Sequence, residues 1–155
     1  MRTIVQRVSR ASVTVDGREV GAIGTGLVLL VGIELADAEP QGAWTADKAA
    51  NLRVFPDVEG KINLSVLDLA SLKRSAGLLI VPNFTVAGDA NKGRRPSFDR
   101  AMRPEQAETL FARLIDLTKA AAGSGVQVAA GVFRAHMQVD IQNDGPITLI
   151  LQSPS

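Results

Sequence analysis

The side chains best suited to chemistry in this 155-residue chain lie in three short segments, and the first is PNFTV at 82–86. Asn83 and Thr85 bring polar atoms to the end of an apolar run. A buried strand that ends there has a rigid backbone, and its last N–H groups are released from the sheet. A bulged strand end with a hydrogen-bonded threonine would explain the same residues. The segment alone therefore predicts a candidate site without deciding its chemistry.

The second segment is KGRRPSF at 92–98, within a strongly basic stretch. Residues 91–103 hold five basic residues and one acidic residue, whereas the net charge of the whole chain is only +1. Lys92, Arg94 and Arg95 can bind phosphates, and Phe98 can stack on a base. The local charge favours a phosphate-bearing ligand bound at one place, and a solvated basic loop is the alternative interpretation.

The third segment is NDGPITL at 143–149, close to the end of the chain. Asn-Asp-Gly is typical of turns. Pro146 is compatible with the start of an edge strand, where the missing N–H breaks no ladder hydrogen bond. Taken alone, Gly145-Pro146 indicates a turn rather than a site.

Composition excludes several common chemistries. The chain has no cysteine and one histidine, His136, so disulfides, thiolate catalysis and metal sites with several histidines are excluded. It contains neither a phosphate-binding glycine-rich loop nor the G-x-S-x-G turn that carries a nucleophilic serine. His136 alternates with Gln138 and Asp140, which predicts a solvated strand position. No cofactor and no metal site is predicted.

The hydropathy pattern argues against a membrane protein. The longest apolar run, at 27–31, is far shorter than the roughly 18 residues of a membrane span. The first residues alternate like a strand and lack the apolar stretch of a signal peptide. We therefore expect a cytoplasmic protein.

The predicted elements indicate one α/β domain over residues 1–155. Asp16-Gly17 predicts a hairpin, and Pro82 should end or bulge its strand. Helices are expected from Pro40 to about Leu52 and from Pro104 to a stop at Gly123. Strands are expected at 2–15, in the partner strand of the hairpin, and at 27–33, 53–55, 77–86, 126–130, 135–142 and 146–151.

Together these segments resemble the D-aminoacyl-tRNA deacylases over essentially the whole chain. The matching stretches keep the family's order and spacing: VQRVSRASVTVDG, KINLS, NFT, KGRRPSF, GVF…M and NDGPITL. The resemblance implies a three-layer α/β/β fold with mixed sheets and two main helices. It also implies a homodimer that binds the 3′ end of aminoacylated tRNA. The reaction it implies is hydrolysis of the ester between a D-amino acid and the terminal ribose, without a cofactor.

The resemblance also assigns a stereochemical role to Gly145-Pro146. In the family this peptide bond is cis and reaches from one subunit into the site of the other, braced by an arginine that Arg7 matches. Its carbonyl groups form a wall against which an L side chain collides, while a D side chain points away. Glycine has no side chain to reject, so it is not excluded by this design.

The remaining site residues follow from the same resemblance. Phe133 and Met137 lie beside the terminal adenine in the family, and Lys92, Arg94 and Arg95 are expected at tRNA phosphates. The backbone of Pro96, Ser97 and Phe98 lies near the same adenine. The strand end of Asn83, Phe84 and Thr85 supplies backbone N–H groups as an oxyanion hole. No residue is evident that could activate the Thr85 hydroxyl, so a water aided by the substrate's ribose 2′-hydroxyl is expected to attack.

The match departs from the family at one point. Pro82-Asn83 stands where a Ser-Gln pair is usual, next to the substrate. A related branch that removes L-alanine from a threonine tRNA also has proline there, with a trans Gly-Pro bond and no bracing arginine. Arg7 and the NDGPITL segment favour the D-specific type. Two alternatives stay open: a deacylase shifted towards glycyl- or L-alanyl-tRNA, and a tRNA-end binding protein without catalysis.

Overall fold

The computed structural model describes all 155 residues. Eight strands and three α-helices follow one another in a mixed α/β order. A short 3₁₀ helix, Phe84–Ala87, follows the sixth strand. The strands are β1 Arg2–Val15, β2 Arg18–Ile23, β3 Gly26–Gly32, β4 Phe55–Pro56, β5 Ile62–Leu64, β6 Gly77–Pro82, β7 Gln127–Ala130 and β8 Gln138–Gln152, and the helices are α1 Glu39–Asn51, α2 Val66–Ser71 and α3 Pro104–Ala122.

Strand β1 organises the six-stranded main sheet, because it pairs with three other strands. Its first half pairs with β3 and its second half with β2, while β8 runs antiparallel along its opposite edge. Beyond β3 the sheet continues in parallel with β6 and β7. The sheet curls until β7 approaches β2, where the Gln127 amide donates to the carbonyl of Ala22 at 2.9 Å. The sheet is therefore nearly closed.

The two faces of this sheet bury two separate cores. Along β3 and β6, alternate residues such as Leu29 and Ile80 face the helices, and Val28 and Leu79 face the inside of the curl. Both strands are buried on both faces, which explains their continuous apolar sequences. The result is a layer of helices, a sheet, and the curled half of the same sheet. The fold class expected from the sequence is thereby confirmed.

Helices α1 and α3 cover the larger core. Small residues of α1, Ala46 and Ala49, lie against it, together with the apolar stripe of α3 that contains Leu110 and Leu114. Both helices have proline in their first turn, as expected. No helix combines the length and the apolar character that a membrane crossing requires.

Several predicted boundaries were wrong. In the 77–86 segment the strand ends at Pro82, as expected from its missing N–H, but the next residues form the 3₁₀ helix and not a continued strand. The strands expected at 135–142 and 146–151 are one strand, β8, since β1 is long enough to pair with both parts. Helix α2 was missed because it has only six residues; it is capped by Ser65, whose hydroxyl accepts from the N–H of Asp68. The short strand β5 was missed as well.

The parallel pairing of β3 and β6 requires glycine at its start. A Cβ on Gly26 would lie 2.0 Å from the carbonyl oxygen of Gly77, a backbone atom that cannot move without shifting the strand. We predict that Gly26→Ala lowers the free energy of unfolding by about 3 kcal/mol. Gly24→Ala is the matched control, because its Cβ would meet only Ser75 Oγ, at 3.5 Å. Equal denaturation midpoints for the two variants would contradict this packing.

Candidate active site

A cavity of about 930 Å³ opens where β6 ends, and it is lined by seven of the fifteen residues singled out by the sequence. Its walls come from the 82–85 strand end, the 98–104 segment and the 133–137 turn. Thirteen of its twenty lining residues are hydrophobic, and none is acidic. The charged or imidazole side chains at its wall are Arg103, Arg134 and His136. The cavity therefore suits an apolar ring attached to an anionic group.

The strand end has two unused backbone donors, on residues that line this cavity. The N–H of Asn83 still donates to Val31 of β3, at 2.8 Å, and Val86 begins the 3₁₀ turn by donating to Asn83. Between them, the N–H groups of Phe84 and Thr85 donate to no other residue, because they precede the first hydrogen bond of the turn. Two adjacent donors of this kind can stabilise a developing oxyanion.

The hydroxyl of Thr85 lacks a base. It donates to Asn83 Oδ1 at 2.5 Å, and neither a histidine nor a carboxylate is hydrogen-bonded to it. An amide oxygen does not take up a proton at neutral pH, so this contact orients the hydroxyl without activating it. The geometry supports Asn83 as a partner that positions Thr85.

Aromatic and sulfur-bearing side chains form the apolar walls. Phe133 packs against the core residue Phe111, with ring centroids 5.9 Å apart, and also lines the cavity. Met137 is accommodated by Gly131, where a Cβ would approach the methionine sulfur to 2.8 Å. Phe84 and Phe98 pair edge to face, with centroids 5.0 Å apart. The side chain of Phe133 therefore serves both the core and the cavity.

The basic loop is anchored at its base and exposed at its tip. Asp89 and Ser97 exchange backbone hydrogen bonds at 2.8 Å in both directions. The backbone N–H of Asn91 donates to the Asp89 carboxylate and holds its pKa below the usual value. At the tip, Lys92, Arg94 and Arg95 are exposed, and no carboxylate forms an ion pair with them. Pro96 and Ser97 lie beside Phe98 in this loop but do not line the cavity.

Gly145-Pro146 lies in an outward bulge of β8. Thr148 pairs with Gln6 and Asn143 with Val8, so four residues, 144–147, stand opposite Arg7 alone. The peptide bond between Gly145 and Pro146 is cis, as the family resemblance implies. Both residues are exposed.

Two side chains hold this bulge in place. The buried Arg7 donates through Nε to the carbonyl of Asp144, at 3.2 Å, and through Nη1 to the carbonyl of Val54, at 2.7 Å. Its guanidinium also pairs with the Asp144 carboxylate at 3.1 Å. The Asn143 amide donates to the carbonyls of Arg7 and Ile147, at 3.1 and 3.0 Å, and closes the bulge at its base.

The structure thus divides the expected site residues into two groups. Pro82, Asn83, Phe84 and Thr85 share the cavity with Phe98, Phe133 and Met137, whereas Arg7, Gly145 and Pro146 do not line it. No His, Cys, Asp and Glu side chains cluster in a way that could hold a metal ion.

The sequence missed the three cavity residues that have charged or imidazole side chains. Arg103 stands at the start of α3, and Arg134 lies in a turn with φ of 62°. His136 precedes β8 instead of lying within it, so its predicted strand position was wrong, although it is exposed as expected. No pattern in the sequence signals this turn, because it contains neither proline nor an Asn-Gly pair.

The chain is a small α/β domain with a nearly closed sheet and a cavity at one strand end, and comparisons with known proteins assign it to a family. A family model described as D-Tyr-tRNA(Tyr) deacylase matches residues 4–152. A protein named D-aminoacyl-tRNA deacylase from Geobacter metallireducens is 47% identical over 99% of this chain and 97% of its own length. The chain belongs to the D-Tyr-tRNA(Tyr) deacylase family.

Two solved structures share the fold. One, named c-Myc DNA Unwinding Element Binding Protein, has a TM-score of 0.89 and 40% identity, and the match covers all of both chains. A second, of a probable eukaryotic D-amino acid tRNA deacylase, has a TM-score of 0.79 over 97% of both chains. At 16% identity, this second match supports the fold alone.

The two hydrogen bonds of the Asn143 side chain should contribute to the free energy of unfolding. Asn143→Ala leaves two carbonyl groups at the base of the bulge without their donor, so we expect a loss of about 2 kcal/mol in the free energy of unfolding. Ser9→Ala is the control, since its exposed hydroxyl contacts only the Gln142 side chain in the same strand pair. It should change stability by less than about 0.5 kcal/mol. Chemical denaturation measures both, and an unaltered Asn143→Ala midpoint would refute the assigned role.

Proposed function

We propose that this chain hydrolyses the ester between a D-amino acid and the terminal ribose of tRNA, releasing free tRNA and the D-amino acid. The observation that carries the proposal is the pair of unused N–H groups, Phe84 and Thr85, at the wall of an apolar cavity without acidic residues. The family assignment supports it, because the relatives at 47% and 46% identity are named D-aminoacyl-tRNA deacylase.

The chemistry needs little from the side chains. Water adds to the ester carbonyl carbon, and the carbonyl oxygen takes up negative charge between the N–H groups of Phe84 and Thr85. The bond from this carbon to the ribose oxygen then breaks, and the ribose oxygen receives a proton that came from the water. The substrate's 2′-hydroxyl relays this proton. A relay through the 2′-hydroxyl suits a site in which no basic side chain is hydrogen-bonded to the Thr85 hydroxyl.

Binding of the tRNA end follows from the walls of the cavity. Phe133 and Met137 offer an apolar surface for the terminal adenine, and the loop that carries Pro96, Ser97 and Phe98 borders it. The exposed Lys92, Arg94 and Arg95 attract the phosphates of the same strand. The absence of an acidic lining residue means that nothing there repels this backbone.

Selection against L-amino acids is assigned to Gly145-Pro146 of a second subunit. The bulge is exposed and does not line the cavity of its own chain. It belongs to the edge strand β8, whose free edge also exposes Leu149 and Ile150, and an apolar edge of this kind favours pairing with another copy. We therefore propose a homodimer in which each bulge completes the partner's cavity. A backbone wall rejects every L side chain alike and accepts glycine.

Two alternative functions are each supported by a specific observation. Pro82-Asn83 at the cavity could shift specificity towards glycyl- or L-alanyl-tRNA, but Arg7 fixes the bulge as the D-specific type requires. A nucleic-acid binding role without catalysis is the second candidate. It is favoured by the unpaired basic loop and by the similarity, at 40% identity, to a protein named for binding a DNA unwinding element.

One panel of charged tRNAs tests the proposal. Purified protein is incubated with D-tyrosyl-, L-tyrosyl- and glycyl-tRNA, and release of the amino acid is measured without added cofactor. We expect kcat/KM for D-tyrosyl-tRNA to exceed that for L-tyrosyl-tRNA by about a hundredfold, which corresponds to a steric penalty of about 3 kcal/mol. Glycyl-tRNA should also be hydrolysed. Intact D-tyrosyl-tRNA at micromolar enzyme would sink the proposal.

A second prediction separates water attack from a threonine nucleophile. Thr85→Val removes the hydroxyl but keeps the backbone N–H, so kcat should fall by about tenfold or less. Loss of a true nucleophile costs on the order of 10⁶. A substrate with a 2′-deoxy terminal ribose should instead lose about a hundredfold or more with the wild-type enzyme, because its proton relay is gone. If Thr85→Val were inactive and the wild-type enzyme hydrolysed the deoxy substrate undiminished, the Thr85 hydroxyl would be the nucleophile and the 2′-hydroxyl would have no role.

A further inference from the structure

We propose that the Phe84–Phe98 pair, which lines the cavity but stays partly exposed, and the Lys92–Arg95 loop tip form a subsite for the nucleotide that precedes the terminal adenosine. This inference rests on the proposed function, because it takes the terminal adenosine to occupy the cavity. It assigns to the Phe84 ring a role that is distinct from that of its backbone N–H.

The Phe84 ring is unusual for its exposure. It is 60% exposed, whereas Phe55 and Phe111 are 2% and 3% exposed and belong to the core. A phenyl ring left mostly in water forgoes most of the free energy of burial, so core packing does not explain its position. An exposed aromatic ring beside a polar strand end is instead typical of surfaces that stack on nucleobases.

The geometry around Phe98 keeps the pair in place. Phe98 is 37% exposed and meets Phe84 edge to face, at a centroid distance of 5.0 Å and an interplanar angle of 65°. Its ring lies directly on the backbone at Gly88, where a Cβ would come within 2.8 Å of a ring carbon. A ring held on one side by another aromatic and exposed on the other offers a prepared stacking surface.

The charges next to this pair select an anionic ligand. Lys92, Arg94 and Arg95 belong to the loop that ends in Phe98, and they have no carboxylate partner. The acidic residues of the loop are engaged elsewhere: Asp89 accepts from Asn91, and Asp99 accepts from Ser97. A base on the aromatic pair would therefore have its phosphate near cations whose charge is not neutralised.

The order of these features matches the order of groups at an RNA 3′ end. The free N–H groups of Phe84 and Thr85 mark the ester, and the cavity beside them takes the adenosine that carries it. The partly exposed Phe84 and Phe98 rings line this cavity, and the exposed basic loop leads directly into Phe98, so they can receive the chain that precedes the adenosine. The ligand class is therefore a single-stranded oligonucleotide of at least two residues. The competing occupant is a second copy of this chain that covers Phe84.

The test uses binding and not turnover. Affinities of the wild-type protein for adenosine 5′-monophosphate and for the RNA trinucleotide CCA are measured by titration calorimetry or NMR. The same is done for Phe84→Ala, Phe84→Tyr and the control Leu72→Ala, which shortens an equally exposed apolar side chain on α2's end. Sedimentation reports the oligomeric state of each variant, and thermal unfolding shows whether the variant is folded.

We expect wild-type protein to bind CCA more tightly than the mononucleotide. Phe84→Ala should weaken CCA binding by about tenfold, the magnitude of one lost base–aromatic stack, and weaken mononucleotide binding far less. Phe84→Tyr should retain the wild-type ratio, and Leu72→Ala should change neither affinity. Arg94→Gln and Arg95→Gln should each reduce the magnitude of the slope of log affinity against log salt by about 0.7 for CCA. The slope for the mononucleotide should not change.

Three results would each contradict the proposed subsite. Equal losses on both ligands would place the ring at the terminal nucleotide, and unchanged CCA affinity would leave the ring without a role in binding. A Phe84→Ala protein with a changed oligomeric state would identify the second copy as the occupant. A wild-type protein that binds as expected but hydrolyses no charged tRNA would refute the proposed function and leave this subsite standing.

Discussion

Much of the structure depends on the buried guanidinium of Arg7, which connects β1 to Val54 and to the bulge of β8. A charge that is 9% exposed must have hydrogen-bond partners, because burying it unpaired costs several kcal/mol. Arg7 obtains them on one side from the carbonyl of Val54, below the helices, and on the other from Asp144 in β8. Asp144 belongs to residues 144–147, which stand out of register with β1 and form the bulge that Arg7 holds. Asn143 then closes the bulge, so its shape follows from satisfying polar groups in the middle of a sheet.

The cavity arises from a different requirement at the end of β6. Pro82 ends the pairing with β3, and after one further hydrogen bond, from the N–H of Asn83 to Val31, the chain turns. A 3₁₀ helix forms, and its first N–H groups are left over at a wall of apolar side chains. Donors without acceptors are tolerated there because the strand end is exposed. The bulge and the cavity are separate in one chain, and the proposed dimer brings them together.

Much of this organisation was predictable from sequence, and the failures have physical reasons. Continuous apolar runs predicted β3 and β6, since burial on both faces removes the usual alternation. Periodicity predicted α3, because a 19-residue helix repeats its apolar stripe several times. The six-residue α2 and the unity of β8 were missed, because short helices repeat no pattern and a bulge looks like a turn. At the cavity, polar residues singled out the 83–85 strand end in the sequence, whereas Arg103 and Arg134 reach the cavity only through tertiary placement.

Subunit mixing distinguishes a Gly145-Pro146 bulge that guards the partner's cavity from one that guards its own. Arg7→Met loosens the bulge and should admit L-tyrosyl-tRNA. Gly131→Leu should block the cavity by displacing Met137, while its own bulge stays intact. When Arg7→Met protein exchanges subunits with a large excess of Gly131→Leu protein, every open cavity receives an intact bulge. We expect that hydrolysis of L-tyrosyl-tRNA then disappears while hydrolysis of D-tyrosyl-tRNA persists. Undiminished hydrolysis of L-tyrosyl-tRNA after exchange would contradict a wall that works across the dimer.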